Sequence, residues 1–221
     1  MCLDEHWLLS RMLFMAPLFL SLTVHEWAHA WSAFLLGDDT AKRLGRLTLN
    51  PLAHIDPIGT LLLPAIGVPF GWAKPVPLNP PRFRRNVDLR TGVVLTAAAG
   101  PLSNICMAVG SMLLLTFLMQ FNLMGSSHGN AMYSFLQTLI LLNVVLAVFN
   151  ALPIPPLDGS RIVDGVIPRR YRKAWDRFCR LGPIALFAVI ALPYALGINL
   201  FIWPLEVSQS ALNLLLTWFC V

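Results

Sequence analysis

TGVVLTAAAGPLSNICMAVGSMLLLTFLMQ (residues 91–120) and AMYSFLQTLILLNVVLAVFNALPIPPL (residues 131–157) decide the fold, because from Thr91 to Leu157 the chain carries no Asp, Glu, Lys or Arg. A gap of that length holds two membrane-spanning helices and the turn between them. The first charge after it is Asp158. The remainder of the chain agrees: 57% of residues are hydrophobic, only 12% are charged, and the mean hydropathy is +0.67, far from a soluble average.

Working outward, an earlier apolar stretch covers residues 8–36, long enough to cross with tilt, and Gly37-Asp38-Asp39 stops it. Residues 57–77 are apolar but broken by Pro57, Gly59, Pro64, Gly67, Pro69, Gly71, Pro75 and Pro77. One continuous spanning helix is excluded there, and a short helix or re-entrant loop with extended pieces is expected, packed against protein because irregular backbone cannot face lipid. The two spans of the gap are expected at about 92–121 and 132–152. A basic amphipathic segment follows Asp158, residues 184–203 should span, and residues 208–220 either lie at the surface or complete a span with what precedes them. The expected fold is an all-α polytopic membrane protein of about four to five transmembrane helices, with a Pro/Gly-rich re-entrant or short β segment between the first and second. We read one domain over 1–221, with a core at about 8–167 and C-terminal membrane segments at about 183–220.

Orientation follows from the basic residues. All of the sixteen Lys and Arg except Arg11 fall within 42–74, 82–90 or 161–180, and these lie on one side if residues 57–77 return to the side they left. The positive-inside rule makes that side cytoplasmic. The amino terminus is then outside, and the first and third spans both run inward. This asymmetry accounts for the net charge of +5, so no nucleic-acid partner is needed. Cys2, Cys106, Cys179 and Cys220 are scattered without a C-x-x-C spacing, which suggests neither a disulfide framework nor a cysteine metal site. The hydrophobic start is too long for a signal-peptide core and lacks a basic leader, so it is expected to stay in the mature protein.

Within the first span lies His25-Glu26-Trp27-Ala28-His29, an H-E-x-x-H sequence. Four residues apart on a helix, His25 and His29 share a face and can meet one zinc ion, while Glu26 reaches its water. The bland reading is two histidines packed in a bundle by accident. Ionisable groups are costly at membrane depth, however, and mark function there. Catalytic zinc takes three protein ligands and keeps a fourth position open. His6 and His128 are at the wrong depth. His54 is on the right side, but Asp158 is better placed, since Asn150-Ala151-Leu152-Pro153-Ile154-Pro155-Pro156-Leu157-Asp158-Gly159 ends a membrane helix with prolines and then presents a lone carboxylate. The competing reading makes Asp158 the cap of the helix that starts at Gly159. Asn104, polar inside the second span, reads as a structural hydrogen-bonding group, and Gly100 and Gly110 as sites of close helix packing.

Taken together, the chain resembles the site-2 protease family of intramembrane zinc metalloproteases. The resemblance rests on residues 25–29 and 150–159, and extends to Gly45-Arg46-Leu47-Thr48-Leu49-Asn50-Pro51, Gly71-Trp72-Ala73-Lys74-Pro75-Val76-Pro77 and Gly100-Pro101-Leu102-Ser103-Asn104. It implies zinc held by His25, His29 and Asp158, Glu26 as general base and acid, and Asn150 as a substrate-binding residue. Two departures stand out: the H-E-x-x-H helix is the first span here, and no segment is long enough to be the PDZ domain that many members carry. Implied substrates are transmembrane proteins or signal-peptide remnants, cut by regulated intramembrane proteolysis. The expected location is the bacterial cytoplasmic (inner) membrane, with the site toward the cytoplasmic leaflet. A β-like edge around 42–49 or 66–76 is expected to pair with unwound substrate. The alternative is a metal-binding membrane protein or transporter without protease activity, which would leave Glu26 no necessary role.

Overall fold

The computed structural model describes residues 5–62, 65, 71–123, 129–195 and 202–219. The first apolar stretch forms α1, Glu5–Leu36. It stops where expected, because Gly37 takes φ +110, a left-handed conformation that side chains disfavour. A Cβ there would also lie 2.8 Å from Arg84 Cγ. Asp38, buried just beyond, accepts hydrogen bonds from the amide of Thr40, which opens the single turn α2, Thr40–Arg43, and from the amide of Asn79.

In the Pro/Gly-rich region the described residues include a short helical turn at Pro57–Leu62 and, from residue 71 on, backbone without regular structure. Asp56 caps the turn Pro57–Leu62 by accepting from the amides of Ile58 and Gly59, while its own amide donates to Thr60 Oγ1. Residues 71–79 then run without regular structure along α1, held by bonds from Thr60 Oγ1 to Trp72 O, from Lys74 N to His54 O and from the Arg46 guanidinium to Lys74 O. Among the described residues there is no strand. The β-like edge expected at 42–49 is not met: Thr40–Arg43 is helical and the chain turns through 44–49. The turn is set by Gly45, whose φ is +67. Of the second candidate edge, residues 66–70 lie outside the described residues.

The charge-free gap becomes α3, Leu89–Gln120, and α4, Gly129–Ala151, close to the expected boundaries. Residues 89–120 and 131–151 are long and apolar enough to cross a membrane. At about 1.5 Å per residue, the 32 residues of α3 exceed the roughly 30 Å hydrocarbon core. Beyond the turn at 152–157 come α5, Asp158–Val166, α6, Arg172–Arg180, α7, Gly182–Ala195, and α8, Ile202–Phe219. Of the expected span at 184–203, residues 184–195 are helical within α7 and 202–203 within α8, and residues 196–201 lie outside the described residues. The tail joins the residues before it in α8.

Helix α3 is central, with α1, α4 and α5 all packed against it. Because lipid is as apolar as leucine, such helices hold together by close packing and by polar bonds between them. Toward one end Met112 and Leu115 meet Leu136 and Ile140 of α4 and Ala211 of α8. Toward the other, Leu18 and Leu22 of α1 pack with Ala73 and with Leu142 and Leu146 of α4. Glycine permits the closest approaches: a Cβ on Gly165 would stand 2.3 Å from Val94, and one on Gly159 would stand 2.2 Å from the carbonyl oxygen of Ala151. The start of α5 is thereby folded tightly against the end of α4.

Candidate metal centre

That close approach delivers Asp158 to α1. As the first residue of α5 its carboxylate does not cap the helix; it turns to the two imidazoles instead. Asp158 Oδ2 lies 3.2 Å from His25 Nε2 and 3.1 Å from His29 Nε2, and the two Nε2 atoms are 3.1 Å apart. The rings meet edge to face, with an interplanar angle of 86°. All three residues are buried, and they form the group able to hold a metal ion among the described residues. Gly100 of α3 backs them so closely that a Cβ would lie 2.3 Å from His29 Nε2.

Hydrogen bonding on the far side of each ring tells what the near side offers. His29 Nδ1 donates to the backbone oxygen of Thr96 at 2.7 Å, and His25 Nδ1 bonds Asn104 Oδ1 at 2.6 Å. With the ring hydrogens on Nδ1, both Nε2 atoms present lone pairs. Two lone pairs and a carboxylate oxygen then face one another at 3.1 to 3.2 Å, which is unfavourable unless a cation lies among them. Ligand atoms about 2.0–2.1 Å from one tetrahedral ion stand roughly 3.3–3.4 Å apart, so the donor set and its spacing both suit zinc. Nδ1 bonds to a carbonyl or amide oxygen are the usual support of metal-bound histidine.

Glu26 is half-buried beside the three, and its Oε2 accepts the amide of Val76 at 2.8 Å. Asn150, in the last turn of α4, donates its amide to Leu146 O at 3.0 Å; no hydrogen bond joins it to the metal-ligand group among the described residues. His54 stands apart from the group, buried, with Nε2 bonded to Thr48 O, so it serves the loop rather than the ion. Asn104 is structural, as expected, but its partner is a candidate ligand. Sequence reading overlooked Asn143, whose side chain accepts from Asn104. The available signal was another lone amide inside an apolar span.

A family model, Peptidase family M50, matches residues 118–192, a stretch that holds Asn150 and Asp158. "Putative zinc metalloprotease YwhC" of Bacillus subtilis is 40% identical over 189 residues, covering 85% of this chain and 83% of that protein. The chain belongs to peptidase family M50, the site-2 protease family. Two other relatives carry the name "Putative zinc metalloprotease Rip2". The one from Mycolicibacterium smegmatis is 33% identical over 140 residues, 63% of this chain and 51% of that protein. The one from Mycobacterium tuberculosis H37Rv is 28% identical over 174 residues, 78% of this chain and 61% of that protein. The M50 chain here thus spans about half to three-fifths of the Rip2 proteins. No solved structure matches it.

Proposed function

We propose that this chain is an intramembrane zinc metalloendopeptidase that hydrolyses peptide bonds in or near transmembrane segments of membrane proteins. His25, His29 and Asp158 are its zinc ligands and Glu26 its proton-transfer residue. The observation that carries the reading is the inward-facing group of two Nε2 lone pairs and a carboxylate oxygen, drawn from α1 and α5, with a second carboxylate next to it in sequence.

Bound zinc supplies Lewis acidity, bringing the pKa of water toward neutrality and polarising a peptide carbonyl. The remaining chemistry falls to the chain's own groups. Glu26 is held through Oε2 by the Val76 amide, which leaves its other oxygen to take a proton from the attacking water and deliver it to the leaving amine. Asn150 commits one amide hydrogen to Leu146 O, and the second is available to a substrate carbonyl.

In the bilayer we read four to five crossings, made by α1, α3, α4 and the α7–α8 region, with residues 57–77 as a re-entrant element. The basic loops face the cytoplasm, the site lies toward the cytoplasmic leaflet, and the membrane is the bacterial inner membrane. The whole of 1–221 acts as one domain. Substrates are transmembrane proteins or signal-peptide remnants, and no nucleic acid takes part.

Glu26→Gln tests this reading. It removes the proton acceptor and keeps the shape, so cleavage should fall by about 10²- to 10⁴-fold while bound zinc, measured by elemental analysis, stays at the wild-type level. Cells carrying the variant should accumulate a short membrane-protein fragment that wild-type cells clear. A membrane proteome identical in the two strains, or a variant that cleaves as well as wild type, overturns the proposal.

A further inference from the structure

The two histidines have their ring hydrogens fixed by different means. His29 Nδ1 faces the Thr96 carbonyl, and a carbonyl can only accept. His25 Nδ1 faces the side-chain amide of Asn104, which offers either an oxygen or an NH₂ depending on how it is turned. Alone, Asn104 would serve either tautomer of His25 equally well.

Asn104 is not alone. Its Nδ2 donates to Asn143 Oδ1 at 2.7 Å, and Asn143 Nδ2 donates at 2.8 Å both to Leu139 O and to Ser21 Oγ. Ser21 Oγ spends its own hydrogen on Pro17 O at 2.7 Å. The chain therefore ends on two backbone carbonyls, and these set its direction. Turning Asn143 over would press its oxygen against Leu139 O, acceptor against acceptor. With Asn143 fixed, turning Asn104 over would set two side-chain oxygens together and aim an NH₂ at His25. Asn104, Asn143 and Ser21 are each 0% exposed, so water cannot relieve a wrong setting.

We infer that Asn143 is a positioning residue for the metal centre: it turns Asn104 so that the Asn104 oxygen holds the hydrogen of His25 on Nδ1 and leaves Nε2 bare toward the divalent cation. The inference rests on the zinc-site reading above. It assigns a task in ligand geometry to a side chain of α4 that touches neither histidine, and it differs from simple helix adhesion because the direction of each bond matters.

The test uses the full chain in lipid nanodiscs, with zinc affinity measured by competition against a chromogenic chelator. Asn143→Leu keeps the bulk but frees Asn104 to turn, and should weaken zinc binding about 10- to 100-fold. Adding Asn104→Asp to Asn143→Leu gives His25 Nδ1 a partner that can only accept, and should return the affinity to within about threefold of wild type. A role in packing alone predicts the opposite, since the double variant buries an extra charge. In the metal-free wild type at alkaline pH, ring ¹⁵N shifts should show the His25 hydrogen on Nδ1, a measurement that stands even if Asn143→Leu fails to fold. Wild-type affinity in Asn143→Leu, absence of rescue in the double variant, or a His25 hydrogen on Nε2 overturns the relay alone. A wild-type chain that binds no zinc overturns the metal centre and the relay together.

Discussion

A methyl group on Gly100 would stand 2.3 Å from His29 Nε2 and 2.6 Å from His25 Cε1. Neither ring can retreat, because each is held at its other edge by a short hydrogen bond to α3. Gly100→Ala should therefore abolish both zinc binding and cleavage, whereas Gly110→Ala, with nothing within 4 Å of the added atom, should keep both; elemental analysis and a cleavage assay on the pair decide it. The sequence marked Gly100 as a place of close packing without saying that imidazoles fill the space. That His25, His29 and Asp158 form one group was legible, because helical spacing relates the two histidines and the prolines before Asp158 announce where a membrane helix ends. Asn143 was not. Its partners lie on α1 and α3, and nothing local in α4 reports how those helices are rotated.

At the scale of the element, α3 begins on a defined cap: Asp88 accepts from the amide and hydroxyl of Thr91. The amide bond above all holds the Asp88 carboxyl below the usual carboxylate range. A depressed folded value means that the stabilising contribution is complete above about pH 4 and disappears as pH falls through that lower value. Asp88→Ala should accordingly lower the thermal midpoint at neutral pH by a few degrees, and the gap from wild type should close on acidification, as circular dichroism melts would record. The strap at 71–79 makes a second case. Arg46 is buried and its guanidinium donates to Lys74 O at 2.6 Å, so Arg46→Ala should reduce cleavage by loosening the strap against Glu26 while zinc content is unchanged. That this region would be irregular was legible from its prolines and glycines. That it would lie as a strap against α1, and that 42–49 would turn rather than extend, was not, since Asp38, Arg46 and His54 act on it from 20 to 41 residues away in sequence.

For the whole molecule, the ligands come from α1 and α5, elements far apart in sequence that both pack on α3 and α4. An ion that binds the folded chain alone adds stability, about 2.7 kcal/mol at a hundredfold excess over its Kd. Zinc should thus raise the unfolding midpoint of the purified protein and a chelator should lower it, with Asp158→Ala insensitive to either; a midpoint indifferent to zinc in the wild type would contradict the link. The overall plan was the most legible level of all. A stretch without charge from 91 to 157 leaves the chain few choices, and both long helices it forms end within a few residues of where the apolar pattern does. The C-terminal region was less so, because apolar composition alone cannot say how residues 182–220 divide into helices.

Val76 sits between Pro75 and Pro77, so in that tripeptide it alone owns an amide hydrogen, and it is this hydrogen that Glu26 receives. Slide the segment one residue either way and the carboxylate meets an imide nitrogen with nothing to give. The strap has a single register. Adding or deleting one residue between 71 and 75 should cost far more than irregular backbone ordinarily would, and a length change there is a more sensitive probe of how Glu26 is held than most side-chain replacements.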